Sequence, residues 1–167
     1  MAWTSPRTWV ALEIPTAANM NAEVRDNLKA IGDPWTPYTP IWTCDGTAPA
    51  IGDGTLTGAY IAAGKLIHFW ATLTAGTTTT YGTSNWRLSL PVNEKPIRWT
   101  FPGNCRDVSA LNTYPMAGEW DGGTGTIVMR LWPTTAGSTW RIFNGGTIPF
   151  TWAAGDLLNI SGSYEAA

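Results

Sequence analysis

Hydrophobic and polar positions change their spacing once along this chain. Over residues 16–31 the apolar side chains Ala17, Met20, Val24, Leu28 and Ile31 recur at intervals of three and four, the spacing of one face of an α-helix. Thr16 is a good N-cap, Gly32 suits the position just past the end, and Pro34 blocks continuation. The stripe is narrow, with Glu23, Arg25, Asp26 and Lys29 elsewhere around the helix, and four turns are marginal alone in water. The helix therefore needs a partner: its own domain, a symmetry mate or a larger assembly.

From residue 41 onward the period falls to two. Residues 55–61 lie between the turn sequences Gly52-Asp53-Gly54 and Ala63-Gly64-Lys65 and read as one arm of a hairpin. In 66–73, Ile67, Phe69, Ala71 and Leu73 share one face while Leu66, His68, Trp70 and Thr72 share the other. Both faces are partly apolar, so this strand is expected between two layers or beneath a neighbouring subunit, with His68 and Trp70 at the contact. Further strands are expected at 85–90 with Trp86, Leu88 and Leu90 inward, at 97–101 with Ile97, Trp99 and Phe101 inward, and at 126–132, 139–143 and 157–164. Hairpin or loop signals separate them at Asp121-Gly122-Gly123, 134–138 and Asn144-Gly145-Gly146. About eight short strands at this spacing predict a mainly β fold, an antiparallel β-sandwich of jelly-roll type, preceded by an arm and one short helix.

Three prolines between residues 33 and 40 favour an extended, semi-rigid connection. The expected organisation is thus an arm and helix at 1–34 for attachment or oligomerisation, a Pro-rich linker at 35–40, and the β domain at 41–167. The arm carries Trp3 and Trp9, Pro6 and Pro15 keep it from regular structure, and it is too aromatic to float free. Trp3, Trp9, Met20, Val24, Leu28 and Ile31 are its expected attachment residues.

Composition narrows the function classes. Charged residues are 13% of the chain and the net charge is −2, so there is no basic footprint for nucleic acid or an anionic membrane. No stretch approaches the roughly 18 apolar residues of a membrane span, and no basic-then-apolar leader opens the chain; a product made in the cytoplasm and not secreted by the ordinary route is expected. Cys44 and Cys105 have no CxxC spacing and no neighbouring His, and read as small buried hydrophobes rather than a metal site or redox pair.

Catalysis finds no foothold in the pattern, and no cofactor is expected. His68 is the only histidine and no nucleophile–carboxylate arrangement accompanies it. Glu94, Asp107, Glu119 and Asp121 could supply the carboxylate pair of a glycosidase, but scattered acids are the default of any surface. The eleven Trp serve a core, an interface or a sugar platform. Trp120, Trp132 and Trp140, in or beside loops, are the candidates for stacking on a glycan; strand parity would equally make them core.

The opening Ala2-Trp3-Thr4-Ser5-Pro6-Arg7-Thr8-Trp9-Val10, then Glu13, Thr16-Ala17-Ala18-Asn19-Met20-Asn21 and Val24-Arg25-Asp26-Asn27-Leu28, resembles the N-terminus of small minor tail proteins in phages of actinobacteria. Residues 51–60 with Gly64-Lys65, the stretch 86–91, and the ending Pro149-Phe150-Thr151-Trp152-Ala153-Ala154-Gly155-Asp156 with Gly162-Ser163-Tyr164-Glu165-Ala166 are similar to the β domain appended to it. Two positions depart from the pattern: Leu12 where a Gly often follows Trp-Val-Ala, and Ala59 where a basic residue often follows Thr-Leu-Thr-Gly. The resemblance implies a virion protein, trimeric like phage fibres, attached to other virion proteins by its N-terminal segment and displaying the β domain from the tail. A head fibre or spike is the alternative placement, and a depolymerase acting on cell-wall glycan is the alternative class.

Overall fold

The computed structural model describes residues 4–5, 7–132, 141–143 and 146–167. Trp3, Trp140 and the expected loop at 134–138 lie outside them. The helix forms as α1 (Ala17–Met20), a π-helical turn (Asn21–Arg25) and α2 (Asp26–Gly32). Thr16 caps it, its hydroxyl accepting from the Asn19 amide at 3.2 Å.

The rest is one curled antiparallel sheet with both edges short. Its strands are β1 (Thr36–Tyr38), β2 (Trp42–Cys44), β3 (Thr55–Ala63), β4 (Leu66–Thr74), β5 (Trp86–Ser89), β6 (Thr100–Asp107), β7 (Asn112–Trp120), β8 (Thr126–Leu131), β9 (Arg141–Ile142) and β10 (Leu157–Glu165). The order across the sheet is β1-β3-β4-β10-β6-β7-β8-β5-β2, with β9 on β8. The mainly β, sandwich-like architecture expected from the pattern is what the chain adopts. The expected linker differs: Thr36, Pro37 and Tyr38 pair with Tyr60, Ala59 and Gly58, so it is an edge strand of the β domain, where a proline is tolerated.

Curling gives the sheet an inside. Ile67, Phe69, Ala71 and Leu73 of β4 are each no more than 2% exposed and meet Phe101, Leu158, Ile160 and Tyr164 in one core. Phe69 packs edge-on against Phe101 and Tyr164, centroids 5.1 and 5.9 Å away. At the other end Trp86 is enclosed by Trp42, Tyr81, Phe143 and Trp152 at 4.7–6.1 Å, and its indole N–H donates to the Tyr81 carbonyl at 2.9 Å. Burying one such ring contributes about 4–6 kcal/mol before ordering costs. Cys105 is fully buried, as the small-hydrophobe reading expects, whereas Cys44 is only half-buried; both thiols are free.

Two boundaries were misread from the sequence. Ile97 is 44% exposed and precedes the strand, which instead continues past Phe101 through Pro102, Gly103, Asn104 and Cys105. The strand Asn112–Trp120 was missed, because Pro115 and Gly118 break the local signal. Pro115 still takes part through its carbonyl, which accepts from the Trp132 amide at 3.2 Å.

Carboxylates tie the loops. Asp156, 1% exposed, accepts from the Val108 amide at 2.9 Å and the Ala153 amide at 2.7 Å. Asp53 accepts from the Thr77 hydroxyl and from the Thr78 amide and hydroxyl, which hold its carboxyl at about 2, below the ordinary 3.8. Asp156→Ala is expected to strand both donors and cost about 2–3 kcal/mol, read as a fall of several degrees in Tm. For Asp53 the folded value is the lower one, so the loop's carboxylate contribution is complete above the ordinary value and lost as pH falls through about 2. An NMR titration should therefore place the midpoint of the Thr78 amide shift near 2 rather than near 4.

Candidate functional site

Two surfaces of the molecule are unfinished, and the first is the arm–helix unit. Polar contacts hold the arm to the helix. The Asn27 carboxamide is 5% exposed, accepts from the Thr4 amide at 3.0 Å, and donates to the Thr4 and Glu23 carbonyls at 2.9 and 3.0 Å. Arg7 forms ion pairs with Glu13 at 2.9 Å and Glu23 at 3.0 Å, its guanidinium lying 4.8 Å from the centre of the Trp9 ring. With those faces engaged, the apolar stripe is left outside: Met20, Val24, Leu28 and Ile31 are 40–64% exposed. Val10, Leu12 and Ile14 of the arm are more exposed still. Leu12 sits at φ 68°, a left-handed conformation that glycine adopts without strain. The C-terminal end of the helix meets the β domain, where Ala30, Asp33 and Pro34 border a recess with Tyr60, Ile61 and Ala62.

The second surface is the outer side of β4, β10 and β6. Register sets Trp70 opposite Ser161 and Thr72 opposite Asn159, and Asn159 opposite Asn104. The β10–β6 ladder stops at Ile160 and Gly103, next to Pro102, whose nitrogen has no hydrogen to donate. Over this fork lies a groove of about 480 Å³ lined by Trp70, Thr72, Pro102, Asn104, Asn159 and Ser161. Beneath the fork the Phe101 ring fills the space below Gly162, where an added Cβ would lie 2.5 Å from it. The Thr72 hydroxyl donates to Asn159 Oδ1 at 2.9 Å and Asn159 Nδ2 donates to Asn104 Oδ1 at 3.3 Å. Ala59, opposite Trp70 on the neighbouring strand, is too short to cover the indole, which is 37% exposed.

The residues expected to act from sequence divide between these places. Trp9, Met20, Val24, Leu28 and Ile31 share the arm–helix surface. Trp70 is in the groove, and His68 lies beside it, but His68 is satisfied within its own chain: Nδ1 is 2.8 Å from the Ser163 hydroxyl and Trp35 stands edge-on at 5.4 Å. Trp120 is half-buried with its indole nitrogen enclosed, a core-like setting, whereas Trp132 is 50% exposed at the end of β8. Asn104, Asn159 and Ser161 were not singled out from the sequence. The outward parity of 157–164 contained two of them, and the third was hidden by ending its strand at Phe101.

Of the carboxylates considered for glycan cleavage, Glu119 pairs with Arg130 at 2.8 Å and Asp121 with Arg87 at 2.5 Å. Asp107 accepts from Ser109 and Ala110 in a turn. Glu94 is 4% exposed, and neither carboxyl oxygen has a hydrogen-bond partner among the described residues. No group of three or more metal-ligating side chains occurs among the described residues, and no helix there is long and apolar enough to cross a membrane. Compared with protein families, curated proteins and solved structures, the chain finds no match.

The Asn27 clamp generates a prediction of its own. Asn27→Ala should release the Thr4 backbone and leave the β domain intact. Trypsin should then cut after Arg7 several-fold faster, with the Tm changed by no more than about 2 °C.

Proposed function

We propose that this chain is a virion structural protein, a tail-associated fibre or tip subunit of the kind found in actinobacterial phages. In this reading it is docked through residues 1–34 and presents the β domain towards the host surface, where it contributes to attachment. The observation that carries the reading is the division of apolar surface. The β domain encloses most of its aromatic rings, whereas the arm–helix unit holds itself together with polar groups and leaves Met20, Val24, Leu28 and Ile31 uncovered. A segment folded that way gains stability from what it docks against.

Val24, Leu28 and Ile31 follow a four–three spacing that sets Leu28 at the a position and the β-branched Val24 and Ile31 at the d positions of a heptad. That choice favours three or more helices over two, and it supports a homotrimer about the helix. No cofactor and no catalytic group enter this role.

The expected outcomes are concrete. A chain beginning at Trp35 should melt within a few degrees of full length, run as a monomer in light scattering and fail to enter particles. Full-length protein should scatter as a trimer, and Val24→Asp should shift it to monomer because the assembled stripe would bury an unpaired charge. Negative-stain imaging of particles labelled through a C-terminal tag should show density on the tail. A truncated chain that still incorporates, or one that cannot fold, overturns the division of labour.

A further inference from the structure

We infer that the groove on the outer face of β4, β10 and β6 is a binding site for a neutral saccharide, with Trp70 as its stacking platform. The inference deepens the display half of the proposed role and leaves the docking half untouched. Three observations carry it.

The first is the chemical make-up of the groove. Its lining combines one large aromatic ring and the apolar ring of Pro102 with two carboxamides and two hydroxyls. A sugar ring has a face of polarised C–H bonds and an edge of hydroxyls. The negative face of an indole attracts the first, and groups that both donate and accept match the second.

The second is unused hydrogen-bonding capacity. Asn104 accepts from Asn159 and nothing else among the described residues engages its side chain, so both N–H groups of its amide lack a partner there. Asn159 has spent one amide hydrogen and keeps the other. The Ser161 hydroxyl and the Trp70 indole N–H have no partner among the described residues. Meanwhile the Thr72–Asn159–Asn104 chain of hydrogen bonds fixes the two amides relative to each other. The site is therefore preorganised as well as unsatisfied, which lowers the ordering cost of binding.

The third is charge. The outer faces of β5, β7 and β8 carry ion pairs, Arg87 with Asp121 and Arg130 with Glu119. No charged side chain lines the groove. Alternation puts Arg106 and Glu165 on the same face at opposite ends of these strands, outside the lining. A phosphate, a carboxylate or a basic peptide would find no counter-charge there, whereas a neutral polyhydroxylated ring needs none. The volume of about 480 Å³ is within the roughly 300–1,000 Å³ of small-ligand clefts.

The experiment uses the full chain, with ¹⁵N signals of the Trp70 indole and the Asn104 and Asn159 amides as reporters. The probes are neutral oligosaccharides of hexoses, pentoses and N-acetylhexosamines, with a uronic-acid oligosaccharide as the acidic control. At least one neutral probe should shift all three reporters together. Trp70→Ala should weaken that probe about tenfold or more, equivalent to about 1.4 kcal/mol, and Asn104→Ala should weaken it by a smaller factor. Neither change should lower the Tm by more than about 2 °C or alter the mass in light scattering. No reporter shift with any neutral probe at about 10 mM, a preference for the acidic control, or unchanged binding by Trp70→Ala overturns the inference. So do Trp70 signals that move with protein concentration alone, which would make the groove a contact between copies. A trimer that enters particles yet ignores every probe would sink the saccharide site alone; a monomer that binds would sink the docking reading alone.

Discussion

The aromatic rings at the centre of the sheet leave the chain no choice but to curl. Phe69, Phe101 and Tyr164 pack edge to face from three adjacent strands, and Trp86, Trp152, Phe143 and Phe150 fill the far end. A flat sheet would expose half of these rings, so closing the sheet over them is the dominant favourable step in folding. Once the inner face is committed, everything that distinguishes this protein has to be placed on the outer face or on the segment before β1. The sheet's fork over Pro102, the groove above it and the exposed position of Trp70 all follow from strands whose inward residues were already spoken for.

The arm–helix unit obeys the opposite rule. It has almost no apolar interior, and its internal order comes from a buried carboxamide, two ion pairs and a cation over an indole. Such contacts set a shape more than they stabilise it, since exposed ion pairs contribute little each. The π turn at Asn21–Arg25 belongs to the same logic. The amide of Asp26 reaches back to the carbonyl of Asn21, and local widening of this kind redirects the side chains that follow. The unit is a shape held ready, with its apolar side exposed.

Much of this was legible from the chain. Period-two alternation in 66–73 correctly separated Ile67, Phe69, Ala71 and Leu73 from Leu66, His68, Trp70 and Thr72, because one face of a strand has to be apolar when it is buried. The helix limits were legible from Thr16, Gly32 and Pro34. What failed did so for physical reasons. Proline is a weak guide where a strand has lost a ladder on one side, so Pro102 and Pro115 concealed most of β6 and the whole of β7. Pro37 likewise made an edge strand resemble a linker. The groove was invisible for another reason: Asn104, Asn159 and Thr72 are far apart in sequence, and only register brings their side chains within hydrogen-bonding distance.

The position of β10 has a consequence for how the protein is made. It is the last strand in chain order yet lies in the middle of the sheet, and among the described strands it alone joins β1-β3-β4 to β6-β7-β8-β5-β2. Until it is inserted, Phe69 and Phe101 have no shared neighbour in Tyr164, and the two half-sheets present bare edges at β4 and β6. Pairings this distant in sequence form late and slowly. Until residues 157–165 emerge from the ribosome, the sheet stays open between β4 and β6. A chain cut before residue 157 would lack the strand that joins the two halves and would keep both of those edges open.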